Sequence, residues 1–524
     1  MLNTDRLIQK YGPLLIIFTG LILYANSFPN QMFWDDENFI LKNRYIQDWR
    51  FLPNLFTENI VAGSAHLSNY WRPLLLLIFS LEWHLWKDWV WGWHIVNTLF
   101  HIASAATLYF LLGRLTGSRN TALMVALLFL AHPLQTEAVV YVNSLGDSLS
   151  TLCIFSGLLL FLRSCQERSL PDRVLAALMF PLALMSKETG IILCVLIPLM
   201  DFLTISRAPK IIERIKDVLR RAWPFLTMAA GYIALRATVL NFDNTFNFYS
   251  ISNDFTQSIS VRIWTFCKAL SIYLSLIFVP IGLQVERTLF PLPQSILSAG
   301  VLPGFLALLA ILVMILRTWK ARPLLAFGAA WFLTGLAPVS NILVPINAMI
   351  YEHWLYVPMV GISLIVIVAG KGLAGRSILW GRTLLALYVL ALAAFAVLTV
   401  QRNGQWRTAE GFYLETLRHA PNSYRLLNNL AVIYVQRQDN ARAEELYKRA
   451  IVANPMETAA YNNLGWLYMN QGKHDDALAL FEHAHALDEK YLYPYEPLIY
   501  LHRLKNNEPR ARQLEKQFSR LTNR

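Results

Sequence analysis

Three consecutive acidic residues, Asp35, Asp36 and Glu37, follow the first long apolar run of the chain, in the sequence Phe-Trp-Asp-Asp-Glu-Asn. Adjacent carboxylates can take a proton from a hydroxyl group, and they can also bind a hard divalent cation such as Mg²⁺ or Mn²⁺. Asp35 and Asp36 are therefore the candidate catalytic residues. All three acids are the candidate ligands if a metal takes part.

Further ionisable and polar residues occur at the ends of later apolar segments, on the face of the membrane that the topology below assigns to the acids. Lysine and arginine stabilise a departing phosphate through charge-assisted hydrogen bonds. Acids and bases at one membrane face suit the transfer of a sugar from a polyprenyl-phosphate donor to a hydroxyl group. The candidate donor-binding residues are Arg72, His132, Glu137, Lys187, Glu188, Arg236 and His353.

The composition places these residues in a membrane protein. Of the 524 residues, 55% are hydrophobic and 15% are charged, and many separate runs approach the roughly 20 apolar residues that a spanning helix needs.

The net charge of +12 comes largely from short basic loops, whereas residues 132–147 and 338–354 contain no Lys or Arg. This positive-inside pattern explains the basic balance without a nucleic-acid partner. The four cysteines lie in or beside apolar segments and indicate neither a zinc site nor a disulfide framework.

The charge pattern predicts an all-α polytopic protein with about 11 transmembrane helices. Its N-terminus lies in the cytoplasm, and its site and C-terminus lie on the periplasmic or other extracytoplasmic side of the cytoplasmic (inner) membrane. Residues 74–86 and 263–281 are predicted to stay at the outer interface without crossing, and the run 174–203 to break into two short helices at Lys187. The predicted spans are 12–28, 94–113, 121–137, 148–163, 174–187, 189–205, 222–240, 300–316, 323–339, 355–371 and 382–400.

The composition changes after Val400, where the chain becomes polar and repetitive. Asn428-Asn429-Leu430 recurs 34 residues later as Asn462-Asn463-Leu464, which is the period of the tetratricopeptide repeat. We therefore expect a transmembrane domain at 1–400 and a repeat α-solenoid at 401–524. Asn429 and Asn463, at equivalent places in successive repeats, are the candidate acceptor-binding residues, since paired amides can hold an extended backbone.

A series of motifs resembles the transmembrane and tetratricopeptide-repeat-containing (TMTC-like) proteins, which are GT-C glycosyltransferases related to the protein O-mannosyltransferases. The resemblance covers nearly the whole chain. In order, the motifs are Phe33-Trp34-Asp35-Asp36, Tyr70-Trp71-Arg72-Pro73-Leu74, Trp93-His94-Ile95-Val96-Asn97 with His101, His132-Pro133-Leu134-Gln135-Thr136-Glu137, Lys187-Glu188-Thr189-Gly190 and Tyr351-Glu352-His353-Trp354.

The resemblance implies a GT-C-like fold, an inverting hexosyl transfer and a general base at Asp35. It also implies that Arg72, His132, Glu137, Lys187 and Glu188 lie near the donor headgroup. The chain departs from the family pattern at two places. Ser144-Leu145-Gly146-Asp147 replaces a Gly-Arg-Ala-Asp element, and His353 stands where an arginine is more usual.

Two functions of different classes remain open. The first is a membrane glycosyltransferase that moves a sugar from a polyprenyl-phosphate donor to a protein Ser/Thr or a glycan, with membrane lipid around it and the acceptor held by the repeats. The second is a non-enzymatic, membrane-anchored repeat scaffold for envelope assembly. An oligosaccharide ligase or polymerase is less favoured because the acids lie in the first outer loop and not in a late one. A transporter is disfavoured because the ionisable residues lie at one face.

Overall fold

The computed structural model describes residues 2–242, 254–285, 287, 292–346 and 348–522, and the regular elements in this part of the chain are helical. The chain divides into two compact units, Met1–Arg407 and Thr408–Arg524. The division falls seven residues after the expected boundary, because the last apolar helix continues to Gln405. The predicted all-α architecture with C-terminal repeats is confirmed.

The first unit is built from helices of very different length. Short 3₁₀ or π turns separate several of them, notably Glu37–Leu41, Pro133–Gln135, Val142–Ser144, Glu188–Ile192 and Glu352–Leu355. The helices are α1 (Leu2–Tyr24), α2 (Arg44–Gln47), α3 (Asn54–Thr57), α4 (Pro73–Trp86), α5 (Val90–Thr116), α6 (Arg119–Ala131), α7 (Thr136–Val140), α8 (Leu145–Glu167), α9 (Leu170–Ser186), α10 (Leu193–Met200), α11 (Ile211–Ala237), α12 (Asp254–Gln257), α13 (Ile259–Phe278), α14 (Val301–Thr318), α15 (Pro323–Leu336), α16 (Pro358–Ala374) and α17 (Ile378–Gln405).

Within the described residues, seven helices are long and apolar enough to cross a membrane, or eight if the bent pair Arg119–Ala131 and Pro133–Val140 forms one span. The 11 crossings therefore stay a prediction. Helix α4 is short, as expected of a segment that does not cross, but α13 has 20 residues and meets the criteria for a span. These helices differ widely in burial. The most apolar stretch of the span that contains α8 is 78% buried, whereas the most apolar stretch of α17 is 6% buried. Helix α8 therefore belongs to the core.

The predicted helix break at Lys187 is confirmed, and glycines shape it. Helix α9 ends at Ser186, and the Lys187 N–H donates to the Ala183 carbonyl at 3.0 Å. A Cβ on Gly190 would lie 2.6 Å from the Ala183 carbonyl carbon, so only glycine lets this turn fold back on α9. A Cβ on Gly146 would lie 3.0 Å from the Ser186 carbonyl oxygen. These close approaches place the start of α8 against the end of α9.

The second unit consists of helical hairpins, and its helices are α18 (Ala409–His419), α19 (Tyr424–Gln436), α20 (Asn440–Ala453), α21 (Thr458–Asn470), α22 (His474–Leu487), α23 (Tyr495–Leu504) and α24 (Glu508–Thr522). Ser423 and Asp439 cap α19 and α20 by accepting main-chain N–H groups. The small and large packing positions recur at the 34-residue period and are buried: Ala443, Tyr447 and Ala450 in α20, and Ala477, Phe481 and Ala484 in α22. The tetratricopeptide pattern is thus confirmed.

Candidate active site

The two adjacent aspartates lie in different environments. Trp34 has a positive φ of 63°, which is rare for a bulky residue, and it turns the chain just before the pair. Asp36 is 1% exposed. Its Oδ2 accepts the Phe33 N–H at 3.1 Å and its Oδ1 accepts the Asn143 N–H at 2.9 Å. Burial raises the pKa of the Asp36 carboxyl well above its ordinary value, and the two N–H bonds oppose that shift. Asp36 therefore fastens its loop to the segment before α8.

Asp35 is half-buried and so is the more accessible of the two acids. Its main-chain N–H donates to the Tyr141 hydroxyl at 3.0 Å. The Tyr141 ring stacks on Trp406, with ring centres 5.4 Å apart. The backbone of Asp35 is thus held at a fixed place while its carboxylate stays partly exposed, which fits a group that must reach a substrate.

The third acid points elsewhere. Glu37 pairs with Lys42 at 2.8 Å, and its side chain is 49% exposed. In the part of the chain that the structure describes, no three His, Cys, Asp or Glu side chains converge as a metal site would require. The physical reason at this loop is that Asp36 is engaged by main-chain N–H groups and Glu37 by a lysine. A divalent cation at Asp35, Asp36 and Glu37 stays a prediction.

The break at Lys187 and the close approach at Gly146 accompany two neighbouring ion pairs. Arg72 donates from Nε and Nη2 to the Glu188 carboxylate, at 3.0 and 2.8 Å to Oε2. Lys187 Nζ lies 2.7 Å from both carboxylate oxygens of Asp147. Lys187 and Glu188 therefore do not neutralise each other but pair with different elements. The side chains of Lys187 and Asp147 are 11% and 9% exposed, so this pair is largely desolvated.

A third polar pair joins α7 to the turn Glu352–Leu355. Both oxygens of Glu137 contact His353: Oε2 accepts the main-chain N–H at 3.2 Å, and Oε1 lies at hydrogen-bonding distance from the ring Nδ1, 2.8 Å away. Burial lowers the pKa of His353 to about 3, and the positive charges of Lys187 and Arg72 act in the same direction. His353 thus lies within the electrostatic reach of both ion pairs and stays neutral.

Two arginines that the sequence motifs did not single out meet at Glu352. The Oε1 atom of Glu352 accepts the Gln284 N–H at 2.5 Å and an Arg287 N–H at 3.1 Å, while Oε2 lies 3.6 Å from Arg402 Nη2. Burial raises the pKa of Glu352 to about 7. An arginine at the end of an otherwise apolar helix was the available signal for Arg402, because such residues are costly unless they serve a purpose. Asp147 was also missed as a site residue.

Two candidate donor-binding residues, His132 and Arg236, make contacts to main-chain groups that hold neighbouring segments in place. His132 accepts the Leu134 N–H on Nδ1 and donates from Nε2 to the Ile277 carbonyl at 2.9 Å, so both ring nitrogens are engaged. Arg236 donates to the Leu240 carbonyl at 2.7 Å and, through a very short contact, to the Asn69 carbonyl. Arg236 therefore steadies the segment that leads into Arg72. A direct role of His132 or Arg236 in binding the donor stays a prediction.

The candidate acceptor residues lie in a chain of side-chain amides within the second unit. Asn463 donates to the Asn428 side-chain oxygen at 3.0 Å, which links α21 to α19. Asn428 donates to the Asn429 side-chain oxygen at 3.4 Å, and Asn462 donates to that of Asn463 at 3.3 Å. Asn429 and Asn463 are half-buried, so they pack the repeats together and still reach the surface.

Two family profiles match parts of the chain. Residues 72–242 match the family described as dolichyl-phosphate-mannose-protein mannosyltransferase, and residues 397–455 and 429–490 match the tetratricopeptide repeat. The first match contains both ion pairs, Arg72–Glu188 and Asp147–Lys187.

Curated relatives match across most of the chain. The protein O-mannosyl-transferase Tmtc3 of Drosophila melanogaster is 24% identical, over 90% of this chain and 58% of its own length. TMTC3 of Mus musculus is also 24% identical, over 90% of this chain and 54% of its own length. F38B6.6 of Caenorhabditis elegans is 23% identical, over 84% and 62%. The chain thus spans a little over half the length of these relatives.

Two solved structures show weak likeness. An Archaeoglobus fulgidus oligosaccharyltransferase tethered to an acceptor peptide is 13% identical over 76% of this chain and 56% of its own, with a TM-score of 0.41. The crystal structure of MamA is 19% identical over 22% of this chain and 67% of its own, with a TM-score of 0.21. Both TM-scores are low, so neither likeness bears on the function.

Helices of this length and apolarity, together with the mannosyltransferase-family match, define a multi-pass membrane protein with C-terminal tetratricopeptide repeats. The resemblance drawn from the motifs is confirmed: the chain is similar to the TMTC-type protein O-mannosyl-transferases, and its similarity to them extends through both units.

Proposed function

We propose that this chain is a membrane glycosyltransferase that moves a sugar from a polyprenyl-phosphate donor to a protein Ser/Thr or a glycan on the outer face of the membrane. One observation carries the proposal: residues 141–147 connect the acid loop to the cations. Tyr141 and Asn143 hold the main chain of Asp35 and the carboxylate of Asp36, and Asp147 holds Lys187. A candidate base and a candidate phosphate ligand are thus fixed to one short segment.

The proposed reaction is a single displacement. Asp35 takes the proton of the acceptor hydroxyl, and the acceptor oxygen forms a bond to the anomeric carbon of the sugar. The bond from that carbon to the phosphate oxygen breaks, and the lipid phosphate leaves with the electron pair. Attack from the face opposite the leaving group inverts the anomeric configuration. Arg72 and Lys187 stabilise the charge that develops on the phosphate.

The ion pairs leave these cations able to bind phosphate. Arginine has five N–H donors and lysine has three, and the contacts to Glu188 and Asp147 use only part of each set. The carboxylates orient the cations and offset the cost of burying them without a ligand. Because the cations are already held in place, the site loses little conformational freedom when the donor binds.

The repeats are proposed to hold the acceptor. The amide chain through Asn429 and Asn463 crosses from one repeat to the next and retains unsatisfied hydrogen-bonding capacity, since each amide has two donors and one acceptor oxygen. An extended peptide or a glycan carries donors and acceptors that match such a surface. Binding there selects the acceptor while the membrane site performs the transfer.

The division of labour can be tested on the purified full chain in lipid nanodiscs. Arg72→Gln combined with Glu188→Gln removes one ion pair without leaving a buried lone charge, and it should weaken polyprenyl-phosphate binding and slow transfer to every acceptor alike. Lys42→Ala removes an exposed cation and is the matched control. Asn429→Ala combined with Asn463→Ala should leave lipid binding unchanged and slow transfer to the native acceptor.

Two outcomes would count against the proposal. If the folded wild-type protein binds no polyprenyl phosphate and transfers no sugar, the scaffold is favoured. If the repeat variant loses lipid binding as strongly as the ion-pair variant does, the two units do not divide the work as proposed. The thermal unfolding midpoint of each variant shows whether a loss reflects binding or folding.

A further inference from the structure

When Glu137 is ionised, its contact with His353 fixes the position of the proton on the imidazole ring. A carboxylate can only accept hydrogen bonds, and Glu137 accepts from the main-chain N–H and the ring Nδ1 of His353. With Glu137 ionised, the ring proton therefore lies on Nδ1 and Nε2 carries a lone pair. Residues 137 and 353 thus set not only the place of the ring but also the polarity of its second nitrogen.

The ring is held rigidly and its second nitrogen is available. His353 stacks on Tyr351, with ring centres 5.2 Å apart and planes 21° apart. The side chain is 15% exposed, and its Nε2 makes no hydrogen bond to the described residues. A fixed, partly exposed acceptor atom in a largely buried cluster is suited to recognising a donor group on a ligand.

The electrostatic surroundings disfavour a second proton on this ring. Burial lowers the pKa of His353 to about 3, and Lys187 and Arg72 add positive charge nearby, while Asp147 opposes them in part. Protonation would turn Nε2 into a donor, and these surroundings disfavour it at neutral pH.

We infer that His353, oriented by Glu137, accepts a hydrogen bond from a hydroxyl group of the donor sugar and does not bind the donor phosphate. The inference rests on the proposed function. A lipid phosphodiester has acceptor oxygens and no proton at neutral pH, so it does not complement a lone pair. A sugar hydroxyl does.

The position agrees with this assignment. The proposed phosphate ligands, Lys187 and Arg72, are the cations that act on His353. The sugar is bonded directly to the phosphate, so a group within the electrostatic reach of the phosphate ligands is on the side of the site where the sugar is expected. Glu137 and His353 thereby determine which sugar is preferred. Lys187 and Arg72 bind the phosphate, which all lipid-phosphate donors share.

The experiment compares binding of polyprenyl phosphate with binding of the same lipid carrying mannose, glucose or galactose. His353→Phe keeps a flat ring for Tyr351 and removes Nε2. It should lower affinity for the preferred sugar-bearing lipid roughly three- to tenfold, as expected for one hydrogen bond, and leave affinity for the sugar-free lipid unchanged. A deoxy sugar that lacks the contacted hydroxyl should bind the wild type and the variant equally.

Glu137→Gln provides a second variant that keeps a side chain of the same size. The amide oxygen can accept the main-chain N–H while the amide nitrogen donates to Nδ1, which moves the ring proton to Nε2. We expect weaker discrimination among the three sugars and undiminished binding of sugar-free polyprenyl phosphate. Lys42→Ala is the control that should change none of these affinities.

Each contrary result has a distinct meaning. Equal losses for sugar-free and sugar-bearing lipid in a folded His353→Phe protein, or no loss for either, would overturn the inference alone. Unchanged sugar discrimination in a folded Glu137→Gln protein would do the same. Failure of the wild type to bind any of the lipids would overturn the proposed function, and the inference with it.

Discussion

Two neighbouring aspartates illustrate how main-chain contacts separate residues that are chemically alike. The carboxylate of Asp36 is enclosed by two N–H donors from different loops, whereas Asp35 is held through its own main chain and keeps a more accessible side chain. The first contributes to the shape of the loop. The second has the exposure that a group meeting a substrate needs.

This difference predicts unequal effects of the same substitution. Asp36→Asn places an NH₂ group or a neutral oxygen against N–H donors, so we expect a loss of about 1–3 kcal/mol in the free energy of unfolding. Asp35→Asn removes little packing and should change it by less than about 0.5 kcal/mol. Thermal and denaturant unfolding of both variants in the same detergent measures the difference. Equal destabilisation would show that the two side chains play similar structural parts.

Glu352 predicts a pH dependence of stability. Its pKa in the folded protein, about 7, lies above the ordinary value of 4.5, so the folded state binds the proton more tightly than the unfolded state does. Stability from this group is therefore greatest at low pH and falls as the pH rises between these values. Glu352→Gln cannot ionise. The wild type should accordingly lose stability relative to this variant between about pH 4.5 and about pH 7, and a difference that does not change with pH would contradict the assignment.

At the scale of elements, the break between α9 and α10 positions Lys187 and Glu188, and Gly190 makes the break possible. Gly190→Ala would place a methyl group against the main chain of Ala183, so we expect it to cost about 1–3 kcal/mol of stability and to disturb both ion pairs. Gly231, within α11, has nothing within 4 Å of its Cβ position. Gly231→Ala is therefore the matched control and should be neutral or stabilising. Similar unfolding midpoints for the two variants would refute this account of the turn.

The break itself was predictable from the sequence, but its partners were not. Two charged residues in the middle of an apolar run cannot stay in the core of a lipid-facing helix, and that argument needs only local sequence. Asp147 is 40 residues from Lys187, and Glu137 is 216 residues from His353. Hydrophobic periodicity gives the length and faces of helices, but it carries no information on which loops meet. Arg287 and Arg402 were missed for this reason.

The repeat unit was the most predictable part of the fold. Each hairpin packs on its neighbour, so the 34-residue recurrence of Asn428-Asn429-Leu430 also determines which side chains meet. The contact between Asn463 and Asn428 connects consecutive copies of that motif. In the first unit the sequence offers no such repetition as a guide, and the 11 expected spans stand beside seven or eight helices among the described residues that meet the length and composition criteria.

At the scale of the whole molecule, the basic loops predict which side of the membrane each unit occupies. Asn440 and Lys210 are both exposed. In a variant with the four native cysteines replaced by serine, a cysteine at 440 should react with a membrane-impermeant thiol reagent in intact spheroplasts, and a cysteine at 210 should react only after permeabilisation. The reverse labelling would place the repeats in the cytoplasm and require a different number of crossings.

The central claim is that Asp35 is the general base of a sugar transfer. The most direct test is the rate at which the purified chain in nanodiscs moves a labelled sugar from a polyprenyl-phosphate donor to a peptide or glycan acceptor, in the wild type, Asp35→Asn and Glu37→Gln. We predict transfer by the wild type and by Glu37→Gln, and a loss of about 10²-fold or more for Asp35→Asn with lipid binding retained. Full turnover by a folded Asp35→Asn protein would contradict the account.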